Sequence, residues 1–296
     1  MVSDKKTSLA ILLAVLGVVL FSAKAVMVKM AYQFNIEAVP LLLLRMVFSL
    51  PVYAAMAVIK RPVNPESIEK KDYLWLILFG ILGYYLASYF DFLGLVYIKA
   101  SLERIILFVY PTLVLLISWV FLKKPITKVQ LFAILITYIG IIITFYAELD
   151  STGEDVILGG VLIFFSALTY ASYLVGSGWL IPKFGATTFT SYAMIVSCLA
   201  VMVHFYLFET VDLFGFSSEV YYLGIAMAIL STIIPSYLVS AAIKQLGASN
   251  FSIIGSLGPI STILLANIFL DERITFTQII GTIVVIAGVL VVSKKK

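Results

Sequence analysis

Charge is scarce in this chain, and so are the side chains on which most catalysis depends. Only 12% of its 296 residues are Asp, Glu, Lys or Arg, and it has one histidine, His204, and one cysteine, Cys198. A lone cysteine excludes an internal disulfide and leaves the compartment undecided. His204 has no second histidine or cysteine nearby, so no metal set is expected and it reads as a span-boundary residue. Glycine-rich phosphate loops, paired histidines and a nucleophile elbow are all missing, and no cofactor is expected. The net charge of +4 comes from scattered Lys and Arg without interleaved aromatics, a pattern that asks for no nucleic-acid partner.

In place of charge there is hydrocarbon. The chain is 62% hydrophobic with a mean hydropathy of +1.11, far above a soluble domain's roughly half-apolar composition. Apolar runs of about twenty residues, each able to cross a bilayer, fill the chain almost end to end, so its first partner is lipid. Ten spans are expected, at 8–30, 37–59, 74–96, 100–122, 129–147, 157–178, 187–208, 220–242, 249–270 and 275–293. The first run continues past Lys24 without a convincing small-residue cleavage site, so it reads as a retained span, not a signal peptide.

The second half of the chain repeats the first. Ala100, Ser101, Pro111, Phe121, Leu122, Ile126, Thr127, Gln130 and Gly140 return 148 positions later as Ala248, Ser249, Pro259, Phe269, Leu270, Ile274, Thr275, Gln278 and Gly288. The register extends back to Tyr73 and Tyr221, without a gap. One turn breaks the likeness, because Lys123 and Lys124 follow Leu122 where Asp271, Glu272 and Arg273 follow Leu270. In a membrane protein that contrast points to halves inserted in opposite directions.

The fold class that follows is an all-α membrane protein of ten transmembrane helices arranged as two inverted five-helix repeats, 8–147 and 157–293. A polar linker, Glu148 to Asp155, separates them. With the N-terminus cytoplasmic, the inner segments collect Lys5, Lys6, Lys60, Arg61, Lys70, Lys71, Lys123, Lys124 and Lys128, while the outer ones collect Glu148, Asp150, Glu209, Asp212, Asp271 and Glu272. That asymmetry puts both termini in the cytoplasm and implies a multi-pass protein of the plasma (inner) membrane.

These residues resemble the drug/metabolite transporter superfamily, specifically its EamA-type members. The resemblance covers the whole chain and is carried by its length, the repeat and the two junctions Pro111 to Thr127 and Pro259 to Thr275, each a mid-helix proline followed by Phe-Leu, charged residues and Ile-Thr. The first junction departs from the usual pattern in carrying Lys123-Lys124-Pro125. The resemblance implies secondary transport of a small metabolite, often outward, through a central cavity lined by the first, third, fourth, sixth, eighth and ninth spans. It places the second span at the periphery, which makes Arg45 the most structural of the buried charges.

Charges inside a bilayer are costly and are kept facing an interior or a wet cavity. Five lie within the spans: Lys24, Arg45, Asp91, Glu103 and Arg104. Counting from the turn near Ile98 puts Asp91 and Arg104 about 10 Å below the outer boundary on neighbouring antiparallel helices, so they are candidates for an ion pair. Lys24 and Arg45 fall at a comparable depth and need a counter-ion, which Asp91, Glu103 or an acidic group of a substrate could supply. The positions opposite the five charges in the second half are near Tyr173, Ala193, Val239, Phe251 and Ser252, a polar and aromatic face against a charged one. Either the charges form a resting network that orients helices, or they hold a ligand. The candidate substrate-binding residues are Lys24, Ser88, Asp91, Arg104, Phe108, Tyr173, Tyr237, Ser252 and Ser256. For each hydroxyl or tyrosine, helix packing or an interfacial belt is the competing reading.

The function expected is a secondary transporter, outward in direction, of an amino acid or related zwitterionic or anionic solute, working by alternating access as a monomer or homodimer. Its alternatives are an intramembrane enzyme, which would need more than the carboxylates Asp91 and Glu103, and a non-transporting scaffold. A coupled proton, with Asp91 or Glu103 as its first candidate sites, stays open against a solute gradient alone.

Overall fold

The computed structural model describes residues 2–123, 125–152, 155–248, 251, 254–255 and 257–293. Helices are their only regular structure, because hydrocarbon leaves backbone groups no partner outside the segment itself. We label the long helices α1 (Val2–Tyr32), α2 (Ala38–Ile59), α3 (Lys70–Tyr97), α4 (Ala100–Leu122), α5 (Lys128–Thr152), α6 (Val156–Phe184), α7 (Ala186–Phe208), α8 (Ser218–Leu246), α9 (Leu257–Leu270) and α10 (Phe276–Ser293). Seven of these are long and apolar enough to cross a membrane, and α9 and the Phe276–Gly288 part of α10 are shorter apolar helices. The exterior is correspondingly greasy, with Leu74, Phe121, Tyr206 and Phe276 exposed.

Several helices overrun their expected ends. α3 begins at Lys70 because Glu69 and Asp72 form a reciprocal capping box there, and α6 continues to Phe184, where Gly185 at φ +83° turns the chain into α7. The expected linker, 148–155, is partly helical, since α5 runs to Thr152 and Asp155 already stands at the N-cap position of α6. Glu154 lies outside the described residues.

Two helices are irregular where it matters. α4 breaks at Phe108 and Val109, because Pro111 has no N–H to return to the carbonyl of Leu107. α3 and α8 each contain a π-turn, at Ile81–Leu86 and Ile229–Ile233, and the two turns start 148 positions apart. The left-handed residues closing α4 and α9, Lys123 and Asp271, both at φ +53°, are separated by the same interval.

The packing follows that register. α2 lies on α7 and α5 on α10, while α3 on α6 is matched by α8 on α1, and α4 on α6 by α9 on α1. Small residues bring the backbones close: a Cβ on Gly140 of α5 would stand 2.7 Å from the Gly281 carbonyl of α10, and one on Gly94 of α3 would stand 3.2 Å from the Gly159 carbonyl of α6.

Two ends of the bundle can be defined from contacts. At one, Val63 and Asn64 donate backbone bonds to Phe184 and Lys183, and Lys183 Nζ reaches both Asp72 oxygens at 2.9 and 2.8 Å. At the other, Glu272 in the α9–α10 turn meets the start of α4, and Tyr32 and Lys29 of α1 donate to the carbonyls of Phe92 and Leu95.

Candidate functional site

A cavity lies at the centre of the bundle, lined from α1 (Val18, Phe21, Lys24), α2 (Arg45), α3 (Gly83, Tyr84, Ala87, Ser88), α4 (Arg104, Leu107, Tyr110), α6 (Ser166, Tyr170), α8 (Ser231, Thr232) and, before α9, Phe251 and Gly255. Many of these positions are partners in the 148-residue register: Val18 with Ser166, Gly83 with Ser231, Tyr84 with Thr232 and Leu107 with Gly255. The cavity therefore sits where the two halves meet, and both π-turns open onto it. Such turns widen a helix and are frequent at functional sites. Measured to the centres of water-sized spheres its volume is ≈ 70 Å³, room for about five waters or a comparably small solute.

The charged groups gather on one side. Lys24 Nζ stands 2.7 Å from Asp91 Oδ2, so the ion pair forms with Lys24. The expected partnership of Asp91 with Arg104 does not form. Counting residues from the turn gives height along each helix but not the direction a side chain faces, and Asp91 and Arg104, both on regular α-helix next to that turn, face different neighbours. Behind the pair, Glu103 is fully buried, and neither of its carboxyl oxygens has a hydrogen-bond partner among the described residues. Arg104 instead donates from Nη2 to Ser22 Oγ at 3.1 Å and lies against Gly258, where a Cβ would stand 2.9 Å from its Nε.

Arg45 reaches the cavity from the second span, the one expected at the periphery. It is buried, donates from Nη2 to Ser88 Oγ at 2.7 Å, lies 4.9 Å from the centre of the Phe92 ring and lines the cavity. Among the described residues neither Arg45 nor Arg104 has a carboxylate within ion-pair distance. With Lys24, Arg45 and Arg104 set against Asp91 and Glu103, the buried cluster holds more base than acid.

The opposite wall is uncharged. Ser166 Oγ donates to the Ala87 carbonyl at 2.7 Å, Ser231 and Thr232 both donate to the Met227 carbonyl, and Tyr170 stands edge-on to Tyr110 with ring centres 5.4 Å apart. Those inward bonds hold the side chains in place and leave their oxygens' remaining lone pairs for a ligand.

Of the residues singled out from sequence, Lys24, Ser88 and Arg104 line the cavity, and Asp91 stands one layer behind through its bond to Lys24. Tyr173 does not line it. It is fully buried between Tyr84 and Phe189, with Tyr170 between it and the opening. Phe108 is buried at the break in α4, and Tyr237 is turned toward α7, where its hydroxyl bonds Ser191 at 2.8 Å. Ser252 and Ser256 lie outside the described residues. Sequence reading missed Ser22, although it is a polar residue two positions before Lys24 in an otherwise apolar stretch and holds the place in α1 that Tyr170 holds in α6. His204 bonds the Tyr85 hydroxyl at 2.9 Å and borders a separate groove with Lys29, Glu37 and Tyr89, on the other face of α3.

Comparison with known proteins agrees with this architecture. Residues 8–146 and 157–294 each match the EamA-like transporter family. The "Uncharacterized transporter YcbK" of Bacillus subtilis is 30% identical over 90% of this chain and 86% of its own. An "Uncharacterized transporter" of Archaeoglobus fulgidus is 24% identical over 78% and 81%. One crystal structure superposes with a TM-score of 0.70 over 97% of this chain and 96% of that one, at 16% identity, a likeness of fold alone.

Proposed function

The chain belongs to the EamA-like transporter family, and from that premise we propose that it is a secondary carrier exporting a small anionic or zwitterionic metabolite, such as an amino acid, by alternating access through the central cavity. Membership makes it a multi-pass membrane transporter and not an enzyme. The observation that carries the substrate class is Arg104: a guanidinium fixed at its back by Ser22 and Gly258, facing a small cavity, and the base left over when Lys24 and Arg45 are set against Asp91 and Glu103. A planar fork of donors held this way suits the two oxygens of a carboxylate. The aromatic and hydroxyl wall of Tyr110, Tyr170, Ser231 and Thr232 suits the rest of an amphipathic solute.

Contacts at the ends of the bundle support an inverted relation between two five-helix units. The α2–α3 loop meets the α6–α7 turn, and α7 then carries the chain to the far end, so the equivalent loops α2–α3 and α7–α8 lie at opposite ends. On this reading the units are 8–147 and 157–293, the termini are cytoplasmic and the Glu272 end faces outward across the plasma membrane. Asp91, paired with Lys24, and Glu103, whose buried carboxyl oxygens have no hydrogen-bond partner among the described residues, are the proposed site of a coupled proton.

A ligand-stabilisation screen over amino acids, dicarboxylates and amines on purified protein, followed by flux in proteoliposomes, tests this. Acids or zwitterions are expected to raise the melting temperature and to be transported, with Arg104→Gln losing both effects. Stabilisation and flux confined to cationic or neutral solutes would overturn the substrate class.

A further inference from the structure

Glu272 makes a contact that its counterpart in the first half is chemically unable to make. The N-terminus of α4 has no cap of its own, since the side chain of Lys99 at the N-cap position makes no capping bond. The carboxylate of Glu272, from the α9–α10 turn, supplies the cap. Oε1 accepts from the Ala100 N–H at 2.9 Å, and Oε2 accepts from the Ser101 N–H at 3.1 Å and the Ser101 hydroxyl at 2.6 Å. A carboxylate on the free N–H groups of a helix start is a charge-assisted bond at the positive end of the helix dipole. The turn is itself braced: Gln278 Nε2 donates to Ser101 Oγ at 3.3 Å, Thr275 and Gln278 cap each other, and Asn267 donates to the Glu272 carbonyl.

The 148-residue register carries these parts into the first half almost intact. Ala100, Ser101, Thr275 and Gln278 correspond to Ala248, Ser249, Thr127 and Gln130, but Glu272 corresponds to Lys124. A lysine ammonium has donors only and can accept nothing from a helix N-terminus.

We infer that Glu272 is a latch: it ties the start of α4 to the α9–α10 turn and shuts the Glu272 end of the carrier, and the sequence places at the matching position of the other half a lysine, which has no acceptor for such bonds. The resting protein is then shut at the Glu272 end, and opening there requires the three Glu272 hydrogen bonds and the Gln278–Ser101 bond to break. The inference rests on the alternating-access reading, but it concerns which end admits solvent and is measurable without a substrate.

The test is thiol accessibility in a Cys198→Ser background. Ser231→Cys reports on the cavity, and Arg273→Cys marks the side of the membrane on which the latch lies. A membrane-impermeant maleimide applied from that side is expected to label Ser231→Cys slowly, and roughly tenfold faster when Glu272→Ala is added. Glu272→Gln, which keeps one acceptor oxygen, falls between. Lys124→Glu supplies the missing acceptor and is expected to slow labelling from the opposite side, a gain of closure that a misfolded protein does not imitate. Equal rates with and without Glu272→Ala, or rapid labelling from the Arg273 side in otherwise native protein, would overturn the latch. Absence of solute flux in the native protein, with these accessibility changes intact in the variants, would count against the carrier reading instead.

Discussion

Gly258 is the seat of the Arg104 guanidinium, since a Cβ at that position would stand 2.9 Å from Nε and 3.0 Å from Nη2. In Gly258→Ala the arginine head has to swing away, and its long side chain can do so cheaply. The backbone gains about 1 kcal/mol of helix propensity from alanine. The expected result is a separation: apparent affinity for the transported solute falls roughly tenfold while the melting temperature holds or rises. An unchanged affinity would mean that the guanidinium does not touch the solute.

The Lys24–Asp91 pair predicts a non-additive pair of mutants. Lys24→Met leaves a fully buried carboxylate without its nearest cation, at a cost of up to about 3 kcal/mol, tempered by neighbouring Arg45. Adding Asp91→Asn removes the stranded charge and should recover most of that loss. Denaturation in detergent measures both, and simple additivity would show that the two groups do not interact in the folded protein.

At the other end of the bundle, Asp72 caps α3 and holds Lys183 with both oxygens. Asp72→Asn and Lys183→Met are each expected to lower stability by about 1–2 kcal/mol, with a double mutant little worse than either. Solute affinity should stay put, because neither residue reaches the cavity.

Gly83 lets the π-turn of α3 lie against the Tyr173 ring, which a Cβ would overlap. Gly83→Ala should therefore cost about 1–3 kcal/mol through overpacking, and Tyr173→Leu in the same protein should relieve it. Rescue by the smaller side chain separates a steric cause from loss of glycine's backbone freedom, which a helical position does not need.

Much of this was legible in the sequence, and the shortfall has one main physical origin. Hydropathy and the repeat marked out the helices, and the cost of buried charge pointed to Lys24, Arg104 and Asp91. Helical rise gives depth but not the direction a side chain faces. Asp91 sits on regular α-helix next to the α3–α4 turn, where height alone left its direction open, and it met Lys24; Phe108 sits at the break in α4 itself and turned into the core. Arg45 was set aside by reasoning from the position of its span, when a side chain of its length can reach the centre from a flanking helix. Glu272 was read only as an orientation charge, though the exchange of Glu for Lys within a duplicated Ala-Ser, Thr and Gln setting was visible before any coordinates.

The pairing of Gly83 with Ser231, Tyr84 with Thr232 and Val18 with Ser166 around one cavity bears on how such a site can change over generations. In a dimer of identical five-helix chains each substitution would arrive twice, altering both walls together. Fusion into one chain frees each wall to vary by itself, so a new cargo can be reached through single changes that leave the opposite wall, and the hinge-like irregularities beneath it, as they were.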